Sequence, residues 1–232
     1  MVHAYIEQQN SSSVQSLSFD ERFTFIVDRE LSEKETKKIK RLLTFAKLKE
    51  PSACIEDITY NAARGLERGK IASLSSCEWI KKGRNLMITG ATGTGKTWLG
   101  CAVGNQAVRR GYKVLYYRAS RLLEDLVIAS GDGTLPSLRS KIRKSDLLII
   151  DDWALSPITD QGRHQLLEII DDRIGEHSTL ITSQFPVSDW HRYIGEPTIA
   201  DAILDRIVHR SYRLELKGPS LRSMDNDKVD AG

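Results

Sequence analysis

Along the chain, apolar residues recur at two different periods, and the switch between them outlines a fold. After Ser18, the residues Phe19, Phe23, Ile26 and Val27 share one helical face; after Ser32, Ile39, Leu42, Leu43 and Ala46 do the same. Each serine is followed three positions later by a glutamate (Glu21, Glu35). This capping-box spacing predicts two short helices before Pro51. Residues 55–79 are loosely helical, broken at Gly65 and Gly69. A regular alternation then begins. Apolar runs at 86–89, 114–117, 147–150 and 179–182 predict strands, and the alternating 212–216 predicts a fifth. Helical stretches separate them at 96–110, 120–129, 137–144 and 159–174, with a broken one at 187–208. Gly111 and the Gly131-Asp132-Gly133 turn act as stops. Strands alternating with helices imply an α/β protein whose mainly parallel sheet is covered on both faces.

This pattern divides the chain into a polar tail (1–17), a helical region (18–52), an α/β domain (53–222) and a short tail (223–232). The 232 residues suit one substantial domain with a small appendage. The net charge is only +3, so attraction for an anionic partner must come from local clusters. No apolar run is long enough to cross a bilayer, and the polar start lacks the apolar core of a signal peptide. Cys54, Cys77 and Cys101 are far apart and odd in number, which fits neither a disulfide framework nor a metal spacing. A cytoplasmic setting without membrane association is expected.

The chemistry begins at Gly90-Ala91-Thr92-Gly93-Thr94-Gly95-Lys96-Thr97, which matches G-x-x-x-x-G-K-[ST] between a strand and a helix. Its glycines let backbone N–H groups converge on phosphate oxygens, and the helix that follows adds its positive end. Lys96 is expected to neutralise the β- and γ-phosphates, and the Thr97 hydroxyl to bind Mg²⁺, with ATP as the nucleotide. About 50 residues later, Leu147-Leu148-Ile149-Ile150 delivers Asp151 and Asp152 to the end of a strand. Asp151 is expected to hold Mg²⁺, and Asp152 to orient or deprotonate the attacking water. Ser183-Gln184, ending the fourth strand, is a candidate polar sensor. No arginine lies in or near the loop, so Arg206, Arg210, Arg213 and Arg222 are candidates for a cation supplied by a neighbouring subunit. Two basic clusters could neutralise a nucleic-acid backbone or simply face solvent: Lys37, Lys38, Lys40, Arg41, Lys47 and Lys49; and Arg139, Lys141, Arg143 and Lys144.

Together these residues resemble the IstB family of helper ATPases for insertion-sequence transposition, in the AAA+ superfamily and related to the helicase loader DnaC. The resemblance covers roughly 42–222. It rests on Gly90–Thr97 followed by Trp98-Leu99, on Leu147–Trp153, on Ile181-Thr182-Ser183-Gln184-Phe185-Pro186, on Asp201-Ala202-Ile203-Leu204-Asp205-Arg206, and on Gly218-Pro219-Ser220-Leu221-Arg222. The resemblance implies an AAA+ P-loop core with five strands in the order 5-1-4-3-2, nucleotide contacts extending to Trp98, a sensor near Ser183 and a trans arginine finger at Arg206. It also implies hydrolysis of ATP to ADP and phosphate, a homo-oligomer with ATP between subunits, assembly on duplex DNA, and a transposase of the IstA type as partner. Two departures stand out. Asp152 occupies a position where many AAA+ ATPases carry the longer Glu, and after Leu216 there is no room for a helical lid, which leaves Arg222 in place of a lid arginine.

Two other functions share parts of this pattern. A DnaC-like helicase loader would use the same ATPase residues and turn its N-terminal helices toward a partner ring. A small-molecule kinase would need a substrate pocket and a lid, and no lid insert is evident.

Overall fold

The computed structural model describes residues 5–6, 17–209 and 211–221. Most of both expected tails, together with Arg210 and Arg222, lies outside these residues.

Five strands form one sheet: β1 (Asn85–Gly90), β2 (Val114–Arg118), β3 (Leu147–Trp153), β4 (Ser178–Ser183) and β5 (Ser211–Leu216). All neighbours pair in parallel, in the order β2-β3-β4-β1-β5, as the resemblance implies. Each strand is preceded or followed by a helix that covers one face: α4 (Lys96–Arg109), α5 (Ala119–Asp132), α6 (Leu135–Arg143), α7 (Asp160–Asp171), α8 (Trp190–Ile194) and α9 (Pro197–Val208). The strands are apolar on both sides because both sides are buried. Leu86 and Ile88 of β1 enter one core with α4, while Met87 between them enters the other with α7 and α9. The broken stretch 187–208 resolves into a 3₁₀ turn (Val187–Asp189), α8 and α9. Helix α5 runs past its expected stop to Asp132 before Gly133 turns it at φ 80°.

The N-terminal region differs from the expected pair of helices. A single helix, α1 (Phe19–Ala46), runs through Ser32. The Ser18–Glu21 capping box forms, but the second one does not. Two i,i+4 ion pairs cross the expected break, Arg29–Glu33 and Glu30–Lys34, and Glu33–Lys37 continues the series just after it. Each adds a few tenths of a kcal/mol to a continuous helix. Fusing the two helices puts their apolar faces on opposite sides, because Phe19 and Ile39 lie roughly 200° apart around one axis. Ile39, Leu42 and Leu43 pack on the core, while Phe19 remains 71% exposed. No described helix is long and apolar enough to cross a membrane.

Residues 55–79 are also less helical than expected. They form two 3₁₀ turns (Ile55–Asp57 and Ala62–Arg64), α2 (Arg68–Ser75) and α3 (Glu78–Lys81). Asn61 caps the second turn by accepting from the Ala63 N–H at 2.9 Å. Cys77, in the left-handed region at φ 58°, separates α2 from α3.

Arg173, between α7 and β4, is buried and ties together the sheet edge opposite the loop. Its guanidinium donates to the carbonyls of Ile142 (2.7 Å), Ser145 (3.0 Å) and Ser178 (2.6 Å). Arg173→Met should strand these acceptors and lower stability by about 2–4 kcal/mol. Urea unfolding followed by circular dichroism measures it; a loss below about 1 kcal/mol would contradict the role.

Candidate functional site

The glycine-rich loop leaves β1 at the sheet's C-terminal edge and enters α4 at Lys96. Gly93 lies at φ 80°, where an added Cβ would stand 2.0 Å from Ser220 Oγ, so the chain after β5 lies directly on the loop. The Leu221 N–H donates to the Gly93 carbonyl at 2.9 Å. Lys96 Nζ donates to the Ala91 carbonyl at 2.8 Å, and Thr94 Oγ1 donates to the same carbonyl at 2.8 Å. The lysine therefore curls across the space enclosed by the loop.

Asp151, fully buried at the end of β3, faces this loop. Thr97 Oγ1 lies 2.9 and 3.0 Å from its two carboxylate oxygens. Tyr116 on β2 donates to Asp151 Oδ2 at 2.8 Å, and Thr182 on β4 donates to Oδ1. Burial, followed by the Asp151 charge, pushes the Tyr116 phenol far above its usual pKa, so it remains a donor. The site fits Mg²⁺. Two adjacent oxygen ligands of an octahedral Mg²⁺ at 2.0–2.1 Å stand about 2.9 Å apart, the spacing between Thr97 and Asp151. Among the described residues no cluster of three His, Cys, Asp or Glu side chains offers a metal cage. The pair would therefore share the ion with phosphate oxygens, as Mg²⁺ sites commonly do.

Asp152 follows at φ 59°, where the β3–β4 register shifts, and its N–H donates to Thr182 Oγ1 at 3.1 Å. Arg118, at the end of β2, pairs with the Asp152 carboxylate at 3.0 Å. Of the sensor candidates, Ser183 is buried and donates its hydroxyl to the Trp153 carbonyl at 3.0 Å. Its neighbour Gln184 reaches the loop and accepts from Thr92 Oγ1 at 2.6 Å.

The expectation that no arginine lies near the loop is corrected by the fold. Arg64 donates to the Thr94 carbonyl at 3.0 Å, and Arg118 reaches Asp152. Neither is close to the loop in the chain, so no local spacing flags them. Arg206 sits at the far edge, where Asn85, opening β1, donates to the carbonyls of Arg206 (3.3 Å) and Ile207 (3.0 Å). A strand of six residues separates this edge from the loop, roughly 17–20 Å. Arg206 pairs with Asp171 and donates to the Ala202 carbonyl at 2.8 Å. It therefore does not reach the loop of its own chain.

A cavity of about 660 Å³ opens beside the loop. Ile58, Leu66, Trp98 and Leu221 give it apolar walls, and Asn61 and Arg64 supply polar groups. Trp98, expected among the nucleotide contacts, thus belongs to the wall next to the phosphate loop.

The two basic clusters approach each other at Lys47 and Lys141. Lys141 on α6 has its pKa lowered by burial and then by the nearby Lys47 charge at the end of α1. Lys113 Nζ lies 4.5 Å from the Phe45 ring centroid, and Lys38 Nζ stands beside Gly111. Lys40, Arg41, Arg143 and Lys144 are exposed, and Lys37 pairs with Glu33. Arg139 departs from the expected cluster: its guanidinium is held by Asp172 at 2.8 Å and Glu168 at 3.2 Å, so its charge is spent within the fold.

The fit at Gly93 yields a stability test. Gly93→Ala should cost about 1–3 kcal/mol, from positive φ and the clash with Ser220. Gly131→Ala, inside α5 with open space around it, should be neutral or gain up to about 1 kcal/mol. Thermal denaturation of both variants checks the contrast; equal effects would refute it.

Comparisons with known proteins place the chain in a family and a fold. The family of IstB-like ATP binding proteins matches residues 1–229. A Sinorhizobium fredii protein, named for ATP binding in an insertion sequence, is 45% identical over 222 residues, covering 96% of this chain and 90% of its own. A Pseudomonas fluorescens protein, named likewise for insertion sequence IS1162, is 48% identical over 188 residues, covering 81% of each chain. The crystal structure of the DnaC helicase loader superposes with a TM-score of 0.60 at 19% identity, covering 71% of this chain and 97% of that one, a likeness of fold alone. With its P-loop, parallel sheet order and near full-length match, the chain belongs to the IstB-like ATP binding protein family and has the AAA+ P-loop fold.

Proposed function

We propose that this protein is an ATP-dependent DNA-binding assembly factor that helps a transposase in insertion-sequence transposition, hydrolysing ATP to ADP and phosphate. The observation that carries the reading is the pairing of Thr97 with Asp151 at a phosphate-binding loop; the exposed Lys40, Arg41, Lys47, Arg143 and Lys144 support contact with a polyanion.

The loop N–H groups and Lys96 bind the β- and γ-phosphates, and Thr97 and Asp151 hold Mg²⁺. Bound there, Mg²⁺ neutralises charge that develops on the phosphate oxygens. Asp152 orients or deprotonates the attacking water, and its salt bridge to Arg118 holds the carboxylate in place between turnovers. Gln184, already in contact with Thr92, reports the state of the loop to β4. Arg206 of one subunit exchanges its Asp171 partner for the γ-phosphate of the next, so the nucleotide joins two copies. Assembly aligns the Lys47–Lys141 face of successive subunits along duplex DNA, with the transposase as the recipient of the complex.

Fluorescence anisotropy with labelled duplex DNA tests this across a salt series. Binding by the parent protein should require ATP or a nonhydrolysable analogue and weaken steeply with salt. Lys47→Ala and Lys141→Ala should each reduce the salt slope by about one, and Arg139→Ala should leave it unchanged. A Lys96→Ala protein that bound duplex DNA as well as the parent would sink the proposal.

A further inference from the structure

Arg64 belongs to a turn that the P-loop motif does not include, yet several constraints hold it against that loop. Asn61 closes the turn by accepting from the N–H groups of Arg64 (3.0 Å) and Leu66 (3.3 Å) through its carbonyl. Gly65, at φ 81°, brings the turn so close to β5 that an added Cβ would stand 2.1 Å from the Glu215 carbonyl oxygen. The Lys217 N–H donates to the Arg64 carbonyl at 3.1 Å, fixing the backbone from the other side. Gly218 passes over the side chain and leaves room for its stem.

The guanidinium itself is only partly satisfied. One terminal nitrogen donates to Thr94 in the loop at 3.0 Å, while Nε is buried without a hydrogen-bond partner. Among the described residues, no carboxylate forms an ion pair with Arg64. A guanidinium has five N–H donors in a planar fork suited to phosphate oxygens. A half-buried cation with a buried, unmet donor is costly unless an anion completes it. The cavity supplies the place for that anion: Arg64, bonded to Thr94 of the loop, lines it together with the apolar Ile58, Leu66 and Trp98.

We infer that Arg64 is a nucleotide ligand supplied in cis, binding the α-phosphate where it emerges from the loop toward the nucleoside. This rests on the reading of the loop as an ATP site. The loop and Lys96 take the β- and γ-phosphates, and the apolar part of the cavity takes the base. The group left at the boundary between them is the α-phosphate. Arg64 is then indifferent to the γ-phosphate and holds ADP as tightly as it holds ATP. Trans cations such as Arg206 respond to the γ-phosphate; Arg64 retains the product.

Calorimetric titration of the full chain with ATP, ADP and adenosine tests the assignment, adenosine being measured by competition where its own heat is small. Arg64→Met keeps the aliphatic stem and removes the charge; Arg64→Lys restores a cation. Arg64→Met should weaken ATP and ADP by the same factor, about 10- to 100-fold, and leave adenosine unchanged. Arg64→Lys should recover part of the loss. Unchanged ADP affinity, a loss confined to ATP, or an equal loss for adenosine would each overturn the inference. Should Arg64→Met not fold, the lysine variant decides: ADP affinity equal to the parent's would overturn it, and a loss shared by ATP and ADP but spared by adenosine would support it. Lys96→Ala separates this from the underlying site. If that variant also bound nucleotide like the parent, the loop reading would fall; if only Arg64 variants were silent, the loop reading would stand without Arg64.

Discussion

The carboxylate of Asp151 accepts hydrogen bonds from three elements that meet only in the folded state. Thr97 comes from the helix after the loop, Tyr116 from β2 and Thr182 from β4. A buried charge is tolerated only when its oxygens are satisfied, and here the donors are the neighbouring strands. The same bonds therefore fix the register of the sheet edge and aim the carboxylate at the loop. Asp152 follows on a left-handed backbone turn that depends on this anchorage, because its N–H rests on Thr182, which is itself bonded to Asp151. Backbone strain beside a well-tied residue is the arrangement expected where a side chain must be presented to chemistry.

The sheet gives the molecule two distinct edges. At the C-terminal edge lie the loop, Asp151, Asp152 and the cavity with Arg64; at the other lie Asn85, Arg206 and the buried Arg173. In a head-to-tail arrangement of copies, one edge would meet the other, and such heterologous contacts propagate into rings or helices. The basic face formed by the end of α1, β2 and α6 flanks the sheet at its β2 margin. Its α6 end adjoins the edge opposite the loop, where Arg173 donates to the carbonyls of Ile142 and Ser145, and it lies away from the loop itself.

The strands, the loop and the Asp151–Asp152 pair were legible in the sequence because their signals are local: apolar runs, glycine spacing and a carboxylate ending a strand. The N-terminal helix continues through Ser32, where the pairs Arg29–Glu33 and Glu30–Lys34 span the break that a second cap would make. Arg139 counted as an open cation because its partners, Glu168 and Asp172, arrive from another helix. Arg64 and Arg118 escaped notice for the same reason. Nothing near Arg64 in the chain announces a phosphate, and only the turn at Gly65, wedged under β5, brings it to the loop. Tyr116 and Thr182 are ordinary strand residues until the parallel register places both beside β3. What remained hidden was therefore long-range pairing.

The central claim is that the nucleotide joins two copies through Arg206. Mixing two inactive variants tests it most directly: Lys96→Ala, with a defective loop and an intact Arg206, and Arg206→Ala, with the converse. The account predicts negligible ATP hydrolysis by either variant alone and recovery on mixing, on the order of a quarter of the parent rate by random pairing of neighbours. Full hydrolysis by Arg206→Ala alone, or no recovery in the mixture, would contradict it.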